Sequence, residues 1–147
     1  MSANSTNSTN SSNAPVIEAK RSGVYRAATS VVHLREQAKK IGLVWLDLPL
    51  NAVSNKKQFL DVCARQLKLP AYFGANWDAL ADCVRDFNWL KGAGFVLHIA
   101  GHGNFAKAAP DDYQTALAVL AEAALFWKEK GTPFVVLVDG AAELPAF

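Results

Sequence analysis

Residues 95–138 read FVLHIAGHGNFAKAAPDDYQTALAVLAEAALFWKEKGTPFVVLV. Two short apolar runs, 95–100 and 134–138, enclose a long stretch in which apolar residues recur at helical spacing. Pro110 suits the first turn of that helix, and Gly131 suits its end. Because apolar strands separated by helices are typical of parallel sheets covered on both faces, this stretch predicts a parallel sheet.

The segments before this unit continue the same alternation. The run 43–48 (LVWLDL) is short, mostly apolar and bounded by glycine and proline, which predicts a buried strand. Ser54 is the predicted N-cap of a helix over 56–67, and Asn76 is that of a helix over 77–87. The order strand, helix, helix, strand, helix, strand predicts an α/β fold, in which a small parallel sheet of three core strands is packed with helices.

The N-terminal part differs in composition from the rest. Residues 1–13, MSANSTNSTNSSN, contain no charge and almost no apolar side chains. Such a segment cannot bury enough surface to offset its ordering entropy, so we expect a disordered tail over 1–16. A single domain over 17–147 would follow, with an extension over 17–41 ahead of a core over 42–139. The extension holds a possible extra strand, GVYRA, and a helix, VVHLREQAKKI.

The bulk composition argues against several classes of function. Hydrophobic residues make up 51% and charged residues 19%, which is enough apolar material for a core. The net charge of +2 is too small to argue for nucleic-acid or membrane binding. Neither a secretory signal pattern nor a run of about 18 apolar residues is present. We therefore expect a cytoplasmic protein whose partner is neither a nucleic acid nor a membrane.

The cysteines and histidines show no pattern of a metal or cofactor site. Cys63 and Cys83 lack the Cys-x-x-Cys spacing of metal ligands and are expected to be buried thiols, with a disulfide as the alternative. His98 lies on a predicted strand, so it would not share a helical face with His102. The glycines beside His102 suggest a phosphate-binding loop, but Ala106 stands where its third glycine should be. We predict a turn there, and no cofactor or metal.

Residues 69–87 read LPAYFGANWDALADCVRDF and carry three aspartates at four-residue spacing, Asp78, Asp82 and Asp86. On a helix these three share one face and repel one another, and Arg85 is the only nearby compensation within that helix. A helix that serves stability alone would alternate its charges here.

Three interpretations of the aspartates are open. They could form a solvated helix face, a carboxylate pair for acid–base or metal chemistry, or a recognition face for a cationic pocket. Carboxylate chemistry needs a nucleophile, a cleft or a further ligand, and no adjacent motif supplies one. Tyr72 and Phe73 favour a recognition face, since rigid aromatic side chains beside charges are typical of interface anchors.

The same stretch closely resembles the loop and helix of the barstar family, at these positions: Leu69-Pro70-x-Tyr72-Phe73-Gly74-x-Asn76-x-Asp78-Ala79-Leu80-x-Asp82-Cys83. The order of elements over about 42–139 is also similar to the three parallel strands and packed helices of that family. The resemblance implies an inhibitor and not an enzyme. Its partner would be a secreted or toxin-type barnase-like ribonuclease, and we expect a monomer when it is free.

The resemblance also implies roles for single residues. By position, Asp82 would enter the catalytic pocket of the ribonuclease, where a carboxylate can replace RNA phosphate and accept charge-assisted hydrogen bonds from arginine. Asp78 would be the second contacting aspartate, Tyr72 would pack on the catalytic histidine, and Asn76 would lie on the contacting edge. The remaining residues of the predicted partner-binding set are Phe73, Gly74, Ala81, Arg85, Asp86, Phe87 and Glu129.

Some positions depart from the family pattern. Ala81 and Phe87 stand where the family has contacting tryptophans. Phe126 stands where it has a contacting glutamate, with Glu129 as the nearest acid. Trp89 could supply an aromatic contact or belong to the core. The family is strongly acidic, whereas this chain carries a net charge of +2, so electrostatic attraction must depend on the local aspartates.

These departures leave two further hypotheses. The chain could be an immunity or binding protein for a different cationic toxin or enzyme, with the N-terminal extension in the interface. Deletion of 1–41 would then abolish binding, whereas a barstar-like interface would survive if the core still folds. Alternatively, Asp78 and Asp82 could hold a divalent metal for catalysis.

Overall fold

The computed structural model describes residues 15–147. The tail predicted over 1–16 lies outside the described residues, except for Pro15 and Val16. In the part that is described, no helix is both long enough and apolar enough to cross a membrane.

The described residues form four strands and five α helices in an α/β arrangement. The strands are β1 (Gly23–Arg26), β2 (Val44–Pro49), β3 (Phe95–Ala100) and β4 (Phe134–Val138). The helices are α1 (Val31–Lys40), α2 (Lys56–Gln66), α3 (Trp77–Val84), α4 (Gly103–Ala108) and α5 (Pro110–Glu129). A short 3-10 turn over Ala19–Arg21 precedes β1.

All four strands pair in parallel, in the order β1-β4-β3-β2. In the register of the central pairs, Leu46 lies opposite Leu97, and Leu97 lies opposite Val136. This confirms the predicted parallel sheet with its three core strands, and it confirms the extra N-terminal strand, which pairs with β4. Each strand begins and ends within one residue of its prediction, because the apolar runs have clear boundaries.

The larger part of the core lies on the face of the sheet that α2, α3, α4 and α5 cover. Alternate strand residues point to this face, as the two-residue period of a strand requires. Leu48, Leu97 and Val136 are among them, and each is fully buried. They pack against side chains such as Leu80 of α3 and Leu120 of α5. The long helix α5 therefore serves as core packing, as its apolar spacing predicts.

The opposite face of the sheet is covered by the N-terminal segment. Leu34 and Ala38 of α1 pack with Val96, Val135 and Leu137, which are the strand residues that point away from the larger core. Ile17 and Phe147 complete this smaller core. Residues 15–41 are therefore an integral layer of the fold, and deleting them would expose apolar side chains of the two central strands.

Polar side chains on this second face form a network. The two ring nitrogens of His98 lie 3.2 Å from Asp47 Oδ1 and 3.0 Å from Asp139 Oδ2. Asp47 Oδ1 also accepts a hydrogen bond from Trp45 Nε1 at 3.0 Å, and Nη2 of Arg35 lies 3.3 Å from it. Because Arg35 belongs to α1 whereas Trp45, Asp47 and His98 belong to the sheet, the network fastens that helix to the strands.

Three local predictions need correction. The N-cap of α2 is Asn55, whose Oδ1 accepts a hydrogen bond from Gln58 N at 2.9 Å, and not Ser54. The helix α3 ends at Val84, three residues before its predicted end. Finally, residues 103–108 form the short helix α4, where we predicted only a turn. Burial of Phe105 holds this helix against the larger core.

Candidate functional site

The loop over 70–76 reaches α3 through two local constraints. Ala75 adopts a left-handed backbone conformation, with φ of 54°. Asn76 then caps the helix, because its Oδ1 accepts a hydrogen bond from Ala79 N at 2.8 Å. The predicted cap is thereby confirmed, and it fixes where the loop ends and the first turn of α3 begins.

One face of α3 is anchored in the core. Leu80, Cys83 and Val84 are buried. The carbonyl oxygen of Val84 accepts a hydrogen bond from Trp127 Nε1 of α5 at 2.8 Å. Since both the apolar face and the C-terminal end of α3 are held, its opposite face has a fixed orientation towards solvent.

That opposite face, the preceding loop and the two residues after the helix make up what we call the acidic segment, residues 72–86. Tyr72 is 76% exposed, which makes it the most exposed large hydrophobic side chain in the described part of the chain. Asp78, Asp82 and Asp86 are all exposed. Asp78 lies in the first turn of α3, where the helix dipole favours a negative charge. The segment thus presents an aromatic ring and three carboxylates to solvent.

The carboxylate of Asp82 forms an ion pair within the segment. Arg85 Nη2 lies 3.0 Å from Asp82 Oδ1, and Arg85 Nε donates a hydrogen bond to the carbonyl oxygen of Ala81 at 3.0 Å. The Asp82 side chain is nevertheless 78% exposed, so it is accessible to a partner. An exposed pair of this kind contributes at most about 1 kcal/mol to stability.

The other predicted residues differ in their accessibility. Gly74 and Asn76 are exposed, whereas Phe73 and Ala81 are half-buried. Asp86 lies beyond the last residue of α3, so it follows the helix and does not continue its stripe. Glu129 is exposed at the C-terminal end of α5.

Phe87, which we predicted to contact a partner, lies in the core of this fold. Phe87 is 1% exposed, and its ring lies 4.8 Å from that of Phe95 and 6.1 Å from that of Phe134, measured between centroids. Its backbone adopts the left-handed conformation, with φ of 49°, three residues after the last residue of α3. Trp89 is also structural: its ring lies edge-on to Phe87, and its Nε1 donates a hydrogen bond to the carbonyl oxygen of Leu67 at 3.0 Å.

A residue outside the predicted set lies just after the C-terminal end of α5. Lys130 Nζ is 5.0 Å from the ring centroid of Phe126, close to where Trp127 joins α5 to α3. The sequence feature that could have predicted this pair is the four-residue spacing of Phe126 and Lys130 at the end of a helix. The pair gives this end of α5 a cation beside an aromatic ring.

Neither metal nor thiol chemistry is supported at the acidic segment. Among residues 15–147, no group of three or more His, Cys, Asp or Glu side chains could hold a metal ion. Cys63 and Cys83 are buried free thiols and form no disulfide. Burial raises the pKa of Cys83, and the nearby charges of Asp82 and Asp86 raise it further. Its thiol is therefore protonated at neutral pH, which agrees with its interpretation as a packed residue.

This geometry defines a class of protein: a small α/β domain with a rigid helix that presents carboxylates and an aromatic ring. A family comparison agrees with it, since residues 44–139 match the barstar family, described as barstar (barnase inhibitor). The match extends from β2 to the residue after β4, so it includes the acidic segment and leaves out β1 and α1. The chain belongs to the barstar family. No curated protein matches the chain at a significant level.

Proposed function

We propose that this protein inhibits a barnase-like ribonuclease by inserting the acidic segment into the active site of that enzyme. The observation that carries the proposal is the exposure of Asp82 on a rigid helix inside the region that matches the family. Asp78 and Tyr72 support it, since both are exposed on the same segment.

The chemistry of such inhibition follows from what a ribonuclease must bind. An active site that holds RNA phosphate requires cationic side chains. A carboxylate can accept charge-assisted hydrogen bonds from the same groups, and arginine can bind it through two parallel bonds. Asp82 would take the central phosphate position, with Asp78 one helical turn away. Because α3 is anchored on its buried face, little ordering entropy is lost when it docks.

Tyr72 would supply the apolar part of the contact. Its ring is largely exposed in the free protein, so docking against a flat side chain of the enzyme would bury much of its surface. Tyrosine is among the residue types that most often dominate binding energy at protein interfaces. Together, the aromatic ring and the carboxylates would block the pocket without any reaction.

The test is inhibition of barnase by the purified chain and by single variants. Asp82→Ala should weaken the free energy of binding to the enzyme by about 2–5 kcal/mol, because it leaves the cations of the enzyme buried without a partner. Asp86→Ala should cost less than about 1 kcal/mol, because Asp86 lies beyond the end of α3.

Asp61→Ala is the matched control. Asp61 is an exposed aspartate of α2 that pairs with Lys57 one turn away, at 3.0 Å, much as Asp82 pairs with Arg85. Its loss should leave inhibition unchanged. Equal losses for the variants at Asp82 and Asp61 would show that the map of the interface is wrong.

A second candidate is binding to a different cationic toxin or enzyme through the same segment. Arg85 favours it, because it places a cation beside Asp82, and a purely cationic pocket would repel that cation. If the folded wild-type chain does not inhibit barnase, this second candidate takes precedence.

A further inference from the structure

Arg85 holds a fixed position beside Asp82 in the free protein. Its Nε donates to the carbonyl oxygen of Ala81 while its Nη2 contacts Asp82 Oδ1, each at 3.0 Å. Two contacts on different atoms restrain the guanidinium more than a single ion pair would. The Arg85 side chain is 43% exposed, so the restrained cation reaches the surface that would face a partner.

This position has a consequence for any cation that binds Asp82. Two cations on one carboxylate lie roughly 4–8 Å apart, and their repulsion grows when docking removes the water between them. A partner cation must therefore either displace Arg85 from Asp82 or accept a like charge close by. Like charges that meet across an interface lower the affinity of the complex, so they disfavour partners with a cation at that position.

We propose that Arg85 is a specificity-determining residue of the acidic segment, which competes with the cation of the partner for Asp82. It weakens binding to a purely cationic site and so narrows the range of enzymes that the segment can block. The proposal rests on the proposed function, because it assumes that Asp82 meets a cation. The alternative role, an ordinary surface ion pair, predicts no selective effect on binding.

The experiment compares Arg85→Gln with Arg65→Gln. Arg65 is an exposed arginine of α2 that lines a different groove, together with Pro49 and Val53. Both variants lose one positive charge, so they share any effect of net charge on attraction. The probes are a hexa-arginine peptide, titrated at low ionic strength and followed by NMR, and inhibition of barnase.

Arg85→Gln should bind the peptide about threefold more tightly than Arg65→Gln does, and should inhibit barnase about tenfold more strongly, because an enzyme pocket excludes more water. Arg85→Lys, which keeps the charge, should stay close to wild type with the peptide. Circular dichroism would confirm that each variant is folded.

The outcomes separate this inference from the proposed function. Equal peptide affinities for Arg85→Gln and Arg65→Gln, or weaker binding by Arg85→Gln, would overturn the role of Arg85. If neither the wild type nor Arg85→Gln inhibits barnase, the proposed function fails for that enzyme, while the peptide comparison still decides whether Arg85 competes for Asp82.

Discussion

Carboxylates lie on both sides of the sheet, but those on the two sides differ in how many partners they have within the chain. On the face of α1, Asp47 and Asp139 contact His98, and Asp47 is also bound by Trp45 and Arg35 of the same chain. On the other face, the aspartates of the acidic segment lie in solvent, with Arg85 as a partner for one of them. Carboxylates that are satisfied within the chain serve the fold, whereas exposed ones on a rigid helix are available for another molecule.

The region that matches the family includes the helices on one side of the sheet and leaves out the helix on the other side. It includes the four helices of the larger core and the acidic segment, and it leaves out residues 15–41, which cover the second face. The extension therefore adds a layer that buries apolar side chains of the two central strands, and we expect the chain to need it for stability. This changes how the deletion of residues 1–41 would be interpreted, because a loss of binding would then follow from a loss of folding.

The largest expected effect is that of deleting residues 1–41. The deletion removes β1 and α1 and uncovers Val96, Val135 and Leu137, all fully buried. Each large apolar side chain contributes about 1.5–3 kcal/mol by its burial. The total loss is comparable with the whole stability of a domain, roughly 5–15 kcal/mol. We expect no cooperative transition in urea, followed by circular dichroism.

A sharp transition near that of the full chain would contradict this and would show that the core over 42–139 folds alone. Leu34→Ala is a milder control that keeps the chain intact. It should lower the free energy of unfolding by about 2–5 kcal/mol, while inhibition by the folded protein stays unchanged.

The next largest effect should separate Phe87 from Tyr72, two aromatic side chains of the same stretch. Phe87→Ala should lower the free energy of unfolding by about 3–5 kcal/mol, because it leaves a cavity beside Phe95 and Phe134. Tyr72→Ala should change it by less than about 0.5 kcal/mol, since the ring lies in solvent. Urea denaturation of both variants measures the two values.

Inhibition assays on the same pair sharpen the result. Tyr72→Ala should weaken inhibition although it stays stable, and the milder variant Phe87→Leu should inhibit as the wild type does once it is folded. A stable Phe87→Leu with strongly reduced inhibition would return Phe87 to the interface.

The sequence was sufficient for the elements that periodicity defines. The three core strands are apolar runs with glycine or proline at their ends. The start of α3 could be predicted because Asn76 is a residue type that caps helices. The sequence was insufficient where distant contacts decide the conformation. Phe87 was assigned to the interface because the family resemblance implies a contact there, but its ring packs against Phe95 of β3 and Phe134 of β4 in the core. The short helix α4 depends in the same way on the burial of Phe105.

The polar side chains also differ in how far the sequence could predict their positions. Asp78, Asp82 and Tyr72 are recognisable because the local sequence suffices to expose them on one helix and its preceding loop. The network around His98 could not be predicted, because it requires the register that sets Asp47 opposite His98 and the position of Asp139 after β4. Strand register between distant segments is a property of the sheet and is not encoded in local spacing.

The smallest expected effect tests whether the charge of Asp47 stabilises the second face. Partial burial alone would raise the pKa of Asp47, but hydrogen bonds from Trp45 and His98 and the charges of Arg35 and His98 outweigh it, so its pKa is lowered. A group with a lowered pKa in the folded state stabilises the fold above its unfolded pKa, which is about 3.9 for aspartate. That stability is lost as the pH falls through the lower pKa of the folded state.

Asp47→Asn should therefore be less stable than the wild type by about 1 kcal/mol or less near pH 6, because the carboxylate is half-exposed and screened. The difference should shrink as the pH falls below about 4, where protonation removes the charge from the wild type as well. Urea denaturation at several pH values measures it, with Asp61→Asn as a control for the loss of an exposed, paired aspartate. A difference that stays constant over this range would show that Asp47 acts through its shape and hydrogen bonds, and that its charge does not hold α1 to the sheet.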